Sequence, residues 1–100
     1  MRVTVRIPLE PLCALRTLRF VVESLTYLAG GTTVNEGRGS WVDNDGDIVY
    51  NRVWTVEAYS DAPMGEKRLG WEVYKIAEVA MHILEESTVM YTVNDKPYFT

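Results

Sequence analysis

"TTVNEGRGSWVDNDGDIVYNRVWTVEAY", residues 32–59, is the stretch on which the architecture of this chain depends. Thr32 to Val42 and Asp47 to Tyr59 are rich in Thr, Val, Trp, Tyr and Ile, the residues that suit a pleated, half-buried surface. Between them stands "DNDG", and Asn, Asp and Gly tolerate the positive φ that a tight turn demands. The segment therefore predicts a long β-hairpin. Gly37 and Gly39 weaken its first strand and predict a bulge or a close backbone approach there.

Two sharper readings of the same stretch fail on spacing. A calcium loop with Gly46 as its sixth position would place Trp41 first and Arg52 twelfth, where the ion needs oxygen ligands. Asp43, Asp45 and Asp47 are accordingly read as turn residues, and no metal site is expected. "GRGSWV" begins like a phosphate loop but lacks a third glycine, and no helix follows to offer its N-terminus. Gly30-Gly31-Thr32-Thr33 closes a helix instead of opening one, the wrong polarity for an anion cradle.

Working outward, Val3, Val5 and Ile7 alternate with Arg2, Thr4 and Arg6, the period of a strand covered on one face. From about Glu10 the period lengthens: Ala14, Leu18, Val21, Leu25 and Leu28 form one stripe of a helix, with Pro11 in its first turn and Gly30-Gly31 at its exit. Beyond the hairpin, Ser60 or Asp61 is the expected N-cap of a second helix, with Pro63 in its opening turn and Leu69, Val73, Ile76, Ala80 and Ile83 as its apolar stripe. Gly70 weakens the start of that helix. Thr88 to Val93 reads as a last strand, Asn94-Asp95 as a turn, and "PYFT" as a short pairing arm. The order strand, helix, strand, strand, helix, strand predicts an α+β, ferredoxin-like β-α-β-β-α-β fold, a four-stranded antiparallel sheet with two helices on one face. One α/β sandwich domain over residues 1–100 is expected.

Composition narrows the function classes. The formal net charge is −4, so no long-range positive field draws the chain to nucleic acid. One cysteine and one histidine exclude every zinc pattern built from Cys and His pairs and any internal disulfide. "LCALRTLRFVV" is broken by Arg16 and Arg19, so neither a signal peptide nor a membrane span is expected, and the chain is placed in a reducing cytoplasm.

The predicted second hairpin strand is apolar on both faces, with Ile48, Tyr50, Trp54 and Val56 on one and Val49, Val53 and Tyr59 on the other. Two helices can cover only one face. A homo-oligomer joined through the sheet, in the simplest case a dimer, is the expected cover for the other. A rival reading stacks nucleic-acid bases on Trp41, Tyr50, Trp54 and Tyr91 with Arg2, Arg6, Arg38 and Arg52 on phosphates. The acidic charge and the missing basic-aromatic signature argue against it. His82 is expected at the helix surface and Cys13 as a small apolar core residue. Neither is a convincing catalytic group.

Residues 30–61, "GGTTVNEGRGSWVDNDGDIVYNRVWTVEAYSD", resemble a group of small bacterial and phage proteins in which a helix ending in Gly leads to a Thr-Val strand, a Gly-x-Trp and an Asp-Gly turn. The resemblance implies a compact ferredoxin-like or PII-like domain and assigns no activity. Glu86-Ser87-Thr88-Val89 departs from the Gln-Glu pattern of those proteins.

Together these readings predict a non-enzymatic binding or regulatory module encoded by a phage or mobile element, without a cofactor. Its candidate roles are inhibition of a host defence complex or sequestration of a nucleotide. The expected contacts are Arg6, Arg38, Trp41, Arg52 and Trp54, with Arg6, Arg38 and Arg52 holding a small anion. The alternative is a small oligomeric enzyme with a pocket between subunits, using His82 or Glu57 as acid or base.

Overall fold

The computed structural model describes residues 1–9, 13–60 and 64–100. Its elements follow the order β1 (Arg2–Pro8), α1 (Ala14–Ala29), β2 (Thr33–Val42), β3 (Ile48–Tyr59), α2 (Glu66–Leu84), β4 (Met90–Val93) and β5 (Lys96–Phe99). The strands form one antiparallel sheet in the order β2-β3-β1-β4-β5. The α+β class and the two helices are as expected; the sheet has five strands and not four. The "PYFT" segment supplies the additional one. Asn94 and Asp95 both take positive φ, 54° and 68°, which turns the chain back tightly enough for Lys96–Phe99 to pair with β4. Pro97 is tolerated because β5 is an edge strand with one side free of ladder bonds.

Period-two alternation in β1 sends Val3, Val5 and Ile7 to the helix side, where all three are fully buried. Their cross-strand partners on β3 are Ala58, Val56 and Trp54, and Val3 and Val5 also face Val93 and Tyr91 of β4. Both helices pack on this face. From α1 come Ala14, Thr17, Val21 and Leu25; from α2 come Leu69, Val73, Ala77, Ala80 and Leu84. Each large side chain buried here contributes about 1.5–3 kcal/mol relative to exposure. Gly30, at φ 95°, ends α1 in the left-handed conformation that only glycine adopts freely, and its N–H bonds to the Thr26 carbonyl.

Several local expectations are corrected. Ile76 and Ile83 flank the α2 stripe instead of filling it, because Ala77 and Leu84 are the residues turned fully inward. The N-cap of α2 is Gly65, without a side-chain cap, while Ser60 is buried and its N–H bonds to the Met1 carbonyl. The expectations for Glu10, Pro11, Asp61 and Pro63 lie outside the described residues. No bulge occurs at Gly37 or Gly39: the register runs unbroken from Thr33↔Glu57 to Val42↔Ile48. Gly39 does mark a close approach, since a Cβ there would stand 3.2 Å from Asn51 Oδ1.

The sheet face away from the helices, expected to be apolar, is mixed. Its centre holds the Thr4–Thr92 hydroxyl pair at 2.5 Å and the Arg2–Glu57 ion pair at 3.0 Å, to which Asp95 adds a second carboxylate. Apolar exposure lies at its margins, in Tyr59 and Phe99, and on the β2–β3 hairpin. β1 pairs with β3 only as far as Pro8↔Val53, so the strands beyond that point form a projecting arm. The molecule measures 45 × 24 × 22 Å.

Candidate functional site

The five residues expected to bind a ligand do not converge. Arg6 lies on the open sheet face, lining a groove of ≈ 500 Å³ with Trp41, Asn51, Met90 and Phe99. Arg38 and Arg52 are cross-strand neighbours on the opposite face of the hairpin. Arg52 is already occupied: its Nε donates to Glu36 Oε1 at 2.8 Å, and its Nη2 contacts the same oxygen. Trp54 is half-buried against the core. The base-stacking alternative fails for a related reason. Trp41 pairs with Val49 on the open face, whereas Tyr50, Trp54 and Tyr91 share the parity of Val56 and point to the helix side.

The acidic turn is held by its own backbone. Asp43 Oδ1 accepts the N–H groups of Asp45 and Asp47, each at 2.9 Å, and the Gly46 N–H bonds to the Asp43 carbonyl. Gly46 takes φ 84°. Among the described residues no cluster of His, Cys, Asp or Glu has metal-binding geometry. His82 is exposed on α2, and Cys13 is half-buried at the start of α1 with its thiol donating to the Ile83 carbonyl at 3.0 Å. Glu57 is tied down by Arg2. The hydrogen bond from that guanidinium holds its carboxyl below the usual range, with a further contribution from the Arg2 charge, so it is poorly suited to act as a base.

What the fold does assemble is an aromatic cavity between the first half of α2 and the β4–β5 hairpin, with a volume of ≈ 870 Å³. Trp71 and Tyr74, three residues apart on one helix face, stack with centroids 5.6 Å apart. Tyr91 and Tyr98 are cross-strand partners and stack at 5.4 Å, while Tyr74 and Tyr91 meet at 6.2 Å and close the two pairs into one wall. Val93 forms the floor. Gly70 keeps the helix backbone near it, and a Cβ there would come to 4.0 Å from Val93 Cγ2. Glu66, Lys67 and Lys96 supply charges at the rim.

The phenols are tuned toward remaining protonated. The charge of Glu78, and then its hydrogen bond, pushes the Tyr74 hydroxyl above its ordinary range, whereas burial is the main cause for Tyr91. The Tyr74 hydroxyl is thereby engaged with Glu78. Such a cavity, largely aromatic with a few charged groups at its edge, is the usual form of a small-molecule site. Trp71, Tyr98 and the rim charges belong to no motif in the sequence and were not expected at a site. The available signal was an aromatic pair at i, i+3 lying off the apolar stripe of α2.

Fold and cavity together define a small α+β protein with a ligand-sized pocket at the end of its sheet remote from the arm. No family model matches the chain, and no curated protein matches it in sequence. Solved structures do match in fold. A phage SAM lyase in complex with S-methyl-5'-thioadenosine superposes with a TM-score of 0.75 at 7% identity, over 99% of this chain and 87% of that one. A phage SAM lyase in its apo state gives 0.77 at 7% identity, over 99% and 86%. A Bacillus cereus protein related to NIF3 matches at 0.50 and 16% identity, over 96% of this chain but 26% of that one.

The likeness is one of fold and transfers no residue roles. It nevertheless overturns the expectation of a non-enzymatic module: nearly the whole chain has the fold of an enzyme, so the absence of a familiar catalytic motif was not evidence against catalysis. Among the described residues, no helix is long and apolar enough to cross a membrane.

Proposed function

We propose that this chain is a small lyase acting on a sulfonium nucleoside of the S-adenosylmethionine (SAM) type, with the aromatic cavity between α2 and β4–β5 as its active site. The observation that carries the reading is the wall of Trp71, Tyr74, Tyr91 and Tyr98 in a chain that shares an enzyme fold. The strands β2-β3-β1-β4 with both helices are read as a ferredoxin-like unit that β5 extends, and β5 is what completes the cavity.

The chemistry asks for what these residues offer. SAM carries a flat adenine and a permanent positive charge on sulfur; S-methyl-5'-thioadenosine is what remains when the bond from sulfur to the amino-acid chain breaks. The electron pair of that bond stays on sulfur, which becomes a neutral thioether. In a lyase the carbon fragment closes on an atom of the substrate itself or loses a proton, and water takes no part.

Stacked rings bind the base, and their faces attract the sulfonium by about 0.5–2 kcal/mol per good contact. Glu66, at the rim, offers a carboxylate to positive charge. Tyr91, with its hydroxyl as donor, fixes orientation. Charge on sulfur disappears along the reaction, so an apolar wall favours the less charged transition state over the charged substrate.

The test is incubation of the purified protein with SAM and quantification of S-methyl-5'-thioadenosine by mass spectrometry. Release is expected, with a loss of at least about tenfold in Trp71→Ala and Tyr98→Ala, which corresponds to ~1.4 kcal/mol of transition-state stabilisation. Circular dichroism confirms that the variants are folded. No product from the wild type, together with no shift of its melting temperature by either nucleoside, overturns the proposal.

A further inference from the structure

Among the described residues, no side chain of the arm formed by residues 39–51 joins the core, and only its base, Gly39 to Trp41 with Asn51, borders the body, across the groove shared with Met90 and Phe99. Beyond Pro8 the arm runs without β1 beside it, and neither the core nor the side chains packed against the core include any residue between 30 and 53. Yet it is not a polar loop. Ile48 and Tyr50 are 60% and 75% exposed on its helix side, next to Val42, while Trp41 stands exposed on the other. Apolar side chains on both faces of a two-stranded ribbon mark a contact surface, since such a ribbon is marginal in water alone. Its tip is acidic, with Asp43, Asp45 and Asp47 and no basic residue between Val42 and Ile48.

The aromatic cavity has the complementary properties. Its walls are open, with Trp71 58% and Tyr98 41% exposed, although a lyase must keep water from its reacting carbon. Its rim carries Lys67 and Lys96, neither of which is in an ion pair among the described residues, together with Glu66; Arg68 lies beside them on α2, where Lys75 is already paired with Glu72. The arm cannot reach the cavity of its own chain. It extends from one edge of the sheet while the cavity borders β5 at the other, with β1 and β4 between them at about 4.8 Å per strand.

We propose that the arm of one copy lies across the aromatic cavity of a second copy of this chain. The tip carboxylates of Asp45 and Asp47 meet Lys67 and Lys96, and Ile48 and Tyr50 cover Trp71 and Tyr98. The contact joins two different surfaces, so it repeats reciprocally or around a small ring until every arm and every cavity is used. In that assembly each site is closed by its neighbour, and the arm's side chains form part of the wall. The covering role rests on the lyase reading above; the docking itself rests on shape, exposure and charge.

Light scattering on eluted peaks, without any nucleoside present, tests it. The wild type at tens of micromolar is expected as a multiple of 11.4 kDa, and Tyr50→Asp as a monomer. Asp45→Lys with Asp47→Lys, and separately Lys67→Glu with Lys96→Glu, should each be monomeric, and the two double variants should assemble when mixed. Asp43 is left unchanged because its carboxylate holds the turn. A monomeric wild type, or a mixture of the charge-reversed variants that stays monomeric, overturns the proposal. Masses are read without substrate, so failure of lyase activity and failure of docking are separate results.

Discussion

Arg2 and Glu57 illustrate how a residue can look catalytic and prove structural. Arg2 Nε and Nη2 donate to the two carboxylate oxygens of Glu57, while Nη1 donates to Asp95. The three residues connect β1, β3 and the β4–β5 turn across the open sheet face. Because the bond from Arg2 holds the Glu57 carboxyl below its usual range, the folded state binds a proton there less readily than the unfolded chain does. The stabilisation is therefore fully present above the ordinary carboxylate value, about 4.3, and is lost as pH falls through the lower folded value. Glu57→Gln is expected to melt below the wild type at pH 7 and to show a flatter decline between pH 5 and pH 3. Thermal melts across that range decide it: parallel curves for the two proteins would remove the ion pair from the acid limb. In the wall of the cavity the direction is reversed: the Glu78 charge raises the Tyr74 hydroxyl and burial raises that of Tyr91.

At the scale of elements, the parts that were readable are those whose signal is local. The alternation of Val3, Val5 and Ile7 gave β1, and Asn94-Asp95 gave the last turn. In α2, however, stripes through Ile76 and Ile83 or through Ala77 and Leu84 are both compatible with a 3.6-residue period. The choice is made by simultaneous packing on α1 and β4, which no local pattern carries. The site was unreadable for the same reason. Tyr91 and Tyr98 meet only because β5 exists, and Trp71 and Tyr74 meet them only because α2 crosses that edge. The arm's turn was legible because its chemistry is confined to five residues. Its geometry also yields a prediction. Gly46 at φ 84° has open space around a would-be Cβ, so Gly46→Ala pays for backbone conformation alone, about 1 kcal/mol, whereas Gly37→Ala, at a position with equal space and ordinary φ, costs less. Equal melting temperatures for the two variants would mean that the turn is not held at positive φ in solution.

For the whole molecule, the doubly apolar pattern of β3 serves two surfaces. The strand divides into an inner half, whose Val56 and Ala58 join the core and whose Tyr59 is exposed on the open face, and an outer half that projects past the end of β1. Periodicity cannot report where a neighbouring strand stops, and here β1 stops at Pro8. The division implies that body and arm are separable. Removing Trp41 to Val49 and joining Ser40 to Tyr50 through Asn-Gly retains the Ser40↔Tyr50 register and supplies a two-residue turn that matches strand twist. Since every core residue remains, the shortened chain should fold with a melting temperature within about 5 °C of the wild type diluted to monomer. It should also remain monomeric at concentrations where the full chain assembles, because Ile48 and the tip carboxylates of Asp45 and Asp47 are gone. Circular dichroism and light scattering on the same preparation make the comparison. An unfolded product would mean that the arm stabilises its own body, and a folded product that still assembles would place the contact between copies elsewhere on the sheet.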